Sequence, residues 1–428
     1  MMNDTFLLKL VQGLVSGLNL AFLFKNLGAP DFAFLSSQGS AMMALGIIDI
    51  GIGAKFVNSN VSAQNSNSDA FHRPQLQIQG LQYFAKIALL VSLVLTGFSI
   101  PVSLYFLDRF RLFLDVKSIG IIALATFIFL IGNFASKIYL TVNSLSRMIK
   151  IQSLSSLIQL LLTIVIFSLK YSPISYVFLL CIPNAILLLD SLFLINNHHT
   201  KLLDYKRNEK KIGFSFYMQL VQISQAGLIM LISILTARYL TEFDAAYSSL
   251  MQRATVTILA AVGMNFIQFW IDSNAKKPFF KEFVSTKIKK SYFKIKNLYL
   301  IMMSLFSVIC ITAYLFSSVF GVAIAVQVSI ILWILVIGLQ LVYWSEYFDF
   351  LKREKYAEIL LSSLIALLSV IPTTFFLRTS GVLFPPLLLI VSQIAGFLVL
   401  YSHRMRDRYE RSEEHTSELQ SRQYLVCR

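Results

Sequence analysis

Charge is the first thing this sequence is short of. Only 14% of its 428 residues are Asp, Glu, Lys or Arg, against roughly 25% in soluble proteins, too few to clothe a water-facing surface. Carboxylates are scarcer than cations, 22 against 37, which leaves a net charge of +15. Cysteine occurs three times, as Cys181, Cys310 and Cys427, with no spacing that makes a disulfide framework or a metal site. Cys181 and Cys310 lie in apolar runs, where a thiol behaves as a small hydrophobe. There is no Walker P-loop, no His-Glu-x-x-His and no Cys-x-x-Cys, which excludes the commonest phosphate-cradling and zinc-hydrolase signatures. His198-His199 sits in a polar stretch and reads as a solvated pair; Gly51-Ile52-Gly53 reads as a turn or close packing. The expectation is of no metal and no cofactor.

What fills the chain instead is apolar: 56% hydrophobic residues, including 36 Phe. A hydrocarbon core about 30 Å thick needs about 20 apolar residues as a helix. Such runs lie near 6–24, 32–53, 81–106, 118–140, 151–169 and 174–195, then near 214–237, 245–271, 298–319, 322–345, 359–376 and 382–401. The stretch from Asn297 to Ser345 contains no charged residue. A single helix of that length would span about 73 Å, more than twice the core, so a turn is expected at 317–321. The first run starts within six residues of the N-terminus without a basic leader and reads as a retained span, not a cleaved signal.

Lys and Arg sort by side. With the N-terminus cytoplasmic, the inner segments hold 23 and the outer loops 7, a strong positive-inside signal that puts both termini in the cytoplasm. Outer loops are short, the longest being about Leu107 to Lys117, which leaves no room for an extracytoplasmic catalytic domain and argues against an enzyme. In this setting the positive charge is topogenic and carries no implication of nucleic-acid binding. The segment 276–296 holds eight Lys and one acid; it reads as topogenic charge, or as a basic amphipathic helix drawn to anionic headgroups of the membrane lipids.

The chain also repeats itself weakly. Gln12 and its neighbours echo Gln219-Leu220-Val221-Gln222, 33–37 echo 246–249, and Phe56–Asn60 echo Trp270–Asn274, all at offsets near 210–214. This predicts an all-α membrane protein of about twelve transmembrane helices in two pseudo-symmetric six-helix bundles, 1–197 and 214–410, joined by a cytoplasmic linker at 198–213. Residues 411–428 change character: RSEEHTSELQS back-translates with ordinary codons into a common sequencing-adaptor read, so this tail is taken as non-native.

Charges inside spans are expensive and mark pathways. There are six, Lys9, Asp49, Lys86, Lys137, Asp190 and Arg253. Lys86 and Lys137 lie near cytoplasmic ends, from which they can snorkel, and Asp49 and Asp190 are placed at the same interface. Arg253 is too deep for that. Lys9, Gln12, Ser16 and Asn19 recur at helical spacing on one face of the first span, and Gln219 and Gln222 sit in the seventh. Such stripes face other helices or a wet cleft; if a cleft, its bias is cationic and suits a phosphate or pyrophosphate.

On its landmarks the chain resembles the Wzx-type flippases, the polysaccharide-export branch of the multidrug/oligosaccharidyl-lipid/polysaccharide (MOP) superfamily. The landmarks are Ile48-Asp49-Ile50-Gly51-Ile52-Gly53, Phe134-Ala135-Ser136-Lys137-Ile138-Tyr139, Asp244-Ala245-Ala246-Tyr247 and Phe269–Ala275. The resemblance implies two six-helix bundles arranged as a V in a bacterial inner membrane. It implies alternating access that carries an undecaprenyl-pyrophosphate-linked O-antigen, capsule or exopolysaccharide unit from the inner to the outer leaflet. It also implies a coupling ion, proton or sodium, and other polysaccharide-assembly proteins as partners. Lys9, Lys137 and Arg253 are the basic residues that match by location; with Gln12, Asn19, Gln219 and Gln222 they form the expected substrate-binding set. A cation or drug exporter of the same superfamily, or a membrane polymerase or ligase, are the competing readings.

Overall fold

The computed structural model describes residues 2–48, 73–112, 115–141, 145–169, 173–199, 216–256, 259, 324–352 and 355–426. Its helices, in chain order, are α1 (Met2–Asn26), α2 (Ala29–Ile47), α3 (Arg73–Arg109), α4 (Val116–Thr141), α5 (Leu145–Ser168) and α6 (Val177–His199). They continue as α7 (Phe216–Tyr239), α8 (242–256), α9 (Ile324–Lys352), α10 (Tyr356–Leu377) and α11 (Phe384–Val426). Eight of them are long and apolar enough to cross a membrane. Ten of the twelve expected spans overlap a described helix over most of their length, and the eighth does so only over 245–256. The ninth, the turn at 317–321, Asp49 and the basic segment 276–296 lie outside the described residues. Helix α11 continues through 411–426 without a break.

The burial pattern is that of a chain in lipid. Large apolar side chains face outward, with Leu18 62% and Phe376 83% exposed, while Ser155, Thr163, Ser191, Ser329 and Ser362 are fully buried. In hydrocarbon the exposed face costs nothing and polar groups must turn inward to find partners. The serines and threonines do so largely by bonding the carbonyl one turn back, as Ser103 to Ser99 and Thr163 to Gln159. Helix starts follow local chemistry: Pro30 stands in the first turn of α2, where a missing N–H costs nothing. Asp115 caps α4 by accepting the Ser118 N–H at 2.7 Å, and the Ser118 hydroxyl, together with that N–H, holds the carboxyl below its usual range.

Packing partners recur along the chain. Helix α1 lies on α5, α4 on α6 and α5 on α6; further on, α7 lies on α10, α9 on α11 and α10 on α11. The two sets meet chiefly where α2 runs along α7. The largest apolar cluster straddles both sets, bringing Leu23, Phe32 and Phe110 together with Leu240, Ala245 and Phe384. All of these lie near one end of the molecule, the end that carries the α1–α2, α3–α4, α5–α6, α7–α8 and α10–α11 connections. There Phe24 meets Phe243 with ring centroids 6.4 Å apart, and Arg109 donates to the Leu240 carbonyl at 3.1 Å. At the opposite end the clusters stay apart: Tyr139, Met148, Leu187 and Leu194 in one set, Val221, Tyr343, Phe350, Ile359 and Leu400 in the other. Among the described residues, the two sets are closed against each other at one end only.

Two ionic ties brace that opposite end. Asp190 of α6 accepts both Arg147 Nη2 at 2.6 Å and Arg147 Nε at 3.0 Å, and also the Tyr139 hydroxyl at 2.6 Å. Asp190 is therefore a bidentate clamp over α4, α5 and α6, not a bare interfacial carboxylate. Glu346, one residue beyond the apolar run at 322–345, lies within α9 and is buried, paired with Arg404 of α11. The boundary was misjudged because α9 and α11 carry their charges inward, to each other, so the helices run on past the apolar runs. Asp190→Ala is expected to cost about 1–2 kcal/mol, since Arg147 is part-exposed and screened. Thermal unfolding in detergent checks this, and Asp190→Ala/Arg147→Ala should lose little more than Asp190→Ala alone.

Candidate functional site

Helix α6 contains Pro183 in its interior. Proline has no N–H, so the carbonyl four residues back, at Leu179, loses its helical partner. Gln159 of α5 supplies the replacement, its Nε2 donating to Leu179 O at 2.6 Å. The next residue, Asn184, donates from Nδ2 to Phe129 O of α4 at 2.9 Å. Gly132 lets α4 come that close: a Cβ there would stand 2.2 Å from the Asn184 carbonyl oxygen. Gln159→Leu leaves the Leu179 carbonyl unpaired in an apolar setting and is expected to cost about 1–3 kcal/mol, read as a lowered thermal midpoint in detergent.

These irregularities border an open cavity of about 190 Å³ lined mainly by α1, α2, α4, α5 and α6. Its polar lining is Ser16, Asn19, Gln159, Tyr176, Asn184 and Arg253, the rest being Leu, Met, Phe, Pro, Val and Gly39. Asn19 is 5% exposed and its Oδ1 has no hydrogen-bond partner. Among the described residues, no carboxylate lines the cavity. Arg253, 8% exposed, is the one lining cation among them and reaches in from α8, across the junction between the two helix sets. Its Nη2 donates to the carbonyls of Leu35 and Ser36 on α2, at 2.9 and 3.1 Å. The guanidinium lies over Gly39, where a Cβ would fall 1.5 Å from Nη2.

Of the residues named from sequence, the structure brings Asn19 and Arg253 together at this cavity, with Ser16 from the same stripe. It does not bring Gln12, Lys137, Gln219 or Gln222 to its wall. Lys137 is half-buried on α4 toward the far end, and Gln219 is buried within the second helix set. The Lys9 side chain lies outside the described part of the structure. Among the described residues, this cavity is lined by the first helix set together with Arg253 and Val256 of α8. Gln159, Tyr176, Asn184 and Gly39 were passed over. Pro183-Asn184 in mid-span was the available signal, because a proline there frees a carbonyl that a polar side chain must answer.

Solved structures share this arrangement across nearly their whole length. One, described as an inward-facing conformation of a multidrug resistance MATE family transporter, superposes with a TM-score of 0.62 at 13% identity, covering 95% of each chain. This is the MATE fold. The outward-facing conformation of such a transporter fits less well, with a TM-score of 0.52 at 13% identity over 94% of this chain and 95% of that one. A MOP superfamily transporter from Pyrococcus furiosus Vc1 (DSM3638), described as having a binding pocket of reverse polarity, gives 0.54 at 13% identity over 94% and 95%. No family model and no curated protein matches the sequence.

Proposed function

We propose that this chain is a transporter that flips an undecaprenyl-pyrophosphate-linked oligosaccharide unit from the inner to the outer leaflet of a bacterial inner membrane. One observation carries the reading: the described residues of the cavity wall include an arginine and no carboxylate, which suits a diphosphate. At about 190 Å³ it is smaller than a drug-sized site of about 300–1,000 Å³, so it receives a headgroup, with the sugars and the polyprenyl chain outside it. Alternating access between two six-helix bundles, 1–197 and 214–410, is supported by the recurring packing pairs and by closure at one end only. The positive-inside count makes that closed end the outer one. A coupling ion, proton or sodium, and partners in polysaccharide assembly belong to the same proposal.

The second reading is a cation or drug exporter. The neighbours described as multidrug resistance transporters favour it equally, and so does buried Glu346, whose Oε2 lacks a partner. The two separate in one experiment. Deletion of the gene should make undecaprenyl-linked repeat units accumulate on the cytoplasmic face and deplete surface polysaccharide. Unchanged polysaccharide, with loss of drug resistance instead, would establish the exporter.

A further inference from the structure

Two features of Arg253 sit oddly together if its only role is to present charge to a ligand. Its guanidinium lines the cavity, yet it also donates to two backbone carbonyls of α2. Those carbonyls are neutral acceptors, whereas a pyrophosphate oxygen offers the guanidinium a full opposite charge and a geometry that its planar fork can bind bidentately. The guanidinium can approach α2 so closely only because residue 39 has no side chain. The bond it makes there crosses from α8 to α2, next to the apolar seal that closes one end of the molecule.

We propose that Gly39 is the seat of a latch: an oxyanion of the pyrophosphate class entering the cavity takes the Arg253 guanidinium from the Leu35 and Ser36 carbonyls, and so unties α8 from α2 and loosens the closed end. This rests on the pyrophosphate reading above and adds to it a coupling between occupancy and closure. Asn19 completes the competing site. It is buried on the same wall with an unanswered amide oxygen, and a half-turn of the amide presents Nδ2 to an anion. The vacated α2 carbonyls keep their places in the helix, so release strands no backbone donor. The thermodynamics is reciprocal: whatever the anion gains by capturing the arginine is lost from the closed conformation.

The test reads closure directly. Cysteines replace Phe24 and Phe243, whose rings meet at the closed end, in protein with Cys181, Cys310 and Cys427 changed to Ala, reconstituted in nanodiscs. Saturating inorganic pyrophosphate is expected to slow cross-linking of the pair by about fivefold or more. Arg253→Ala should abolish both pyrophosphate binding and the response. Gly39→Ala blocks the seat, so cross-linking should be slow from the start and pyrophosphate affinity should rise about fivefold, because the anion no longer competes with the carbonyls. If Gly39→Ala does not fold, the response of the otherwise unaltered pair still decides. Pyrophosphate that binds through Arg253 without changing the cross-linking rate overturns the latch and leaves the pyrophosphate reading intact. Absence of any Arg253-dependent binding overturns both. A response to phosphatidylglycerol nanodiscs without pyrophosphate would assign the latch to a membrane phosphate and overturn the ligand class named here.

Discussion

Arg253→Ala, expressed at normal levels in a strain lacking the gene, is expected to restore less than about one tenth of surface polysaccharide. Charge-assisted hydrogen bonds are each worth about 1.5–3 kcal/mol, and each 1.36 kcal/mol is a factor of ten in rate. Losing the guanidinium removes the one cation that the described residues place on the cavity wall, and its tie to α2, together. Arg253→Lys keeps the charge but not the planar fork that serves two acceptors, so partial rescue is expected. Quantified surface polysaccharide, normalised to membrane protein level, is the measurement. Full rescue by the Ala variant removes Arg253 from the transport site.

The largest effect on stability is expected at Gly132. Helices α4 and α6 touch there backbone to backbone, with the Asn184 carbonyl in the space a Cβ would need. A valine adds three carbons where none fit, and rigid, β-branched geometry gives it no rotamer of escape. Overpacking costs about 1–3 kcal/mol and sometimes more; at a contact between two backbones the upper end applies. Gly132→Val should sharply reduce monodisperse protein on fluorescence-detected size exclusion and lower the thermal midpoint. Normal behaviour of that variant would mean that α4 and α6 are not packed as described. Gly120, beside which a Cβ would meet nothing within 4 Å, is the control: Gly120→Ala should be neutral or mildly stabilising, because alanine is the better helix former.

Much of the architecture could be read directly from the chain. Apolar runs of about twenty residues bounded by charge leave little freedom, because a bilayer admits only helices there. Eleven of those runs meet described helices for that reason. Arg253 stood out by the same logic, since a lone arginine deep in a span has to be paid for by a role or a partner. Helix ends were harder. Glu346 and Asp190 looked like residues beyond a span or at an interface, because their partners, Arg404 and Arg147, lie 58 and 43 positions away. A residue count cannot see that two charges neutralise each other.

The site was only half legible, and the division has a physical cause. Periodicity along one helix groups residues on a face, so Ser16 and Asn19 emerged as a stripe. It cannot say which face of another helix that stripe meets, so Gln159 and Asn184 were missed and Gln219 and Gln222 were assigned to a shared cleft.

Composition and run length alone determined that the protein lives in a membrane as a bundle of helices with a cation buried in it. Those are one-dimensional consequences of solvation, summed residue by residue. Only the tertiary structure decided where that cation points, because the seat over Gly39, the carbonyl freed by Pro183 and the closure of one end each depend on helices far apart in the chain arriving within a few ångströms of each other.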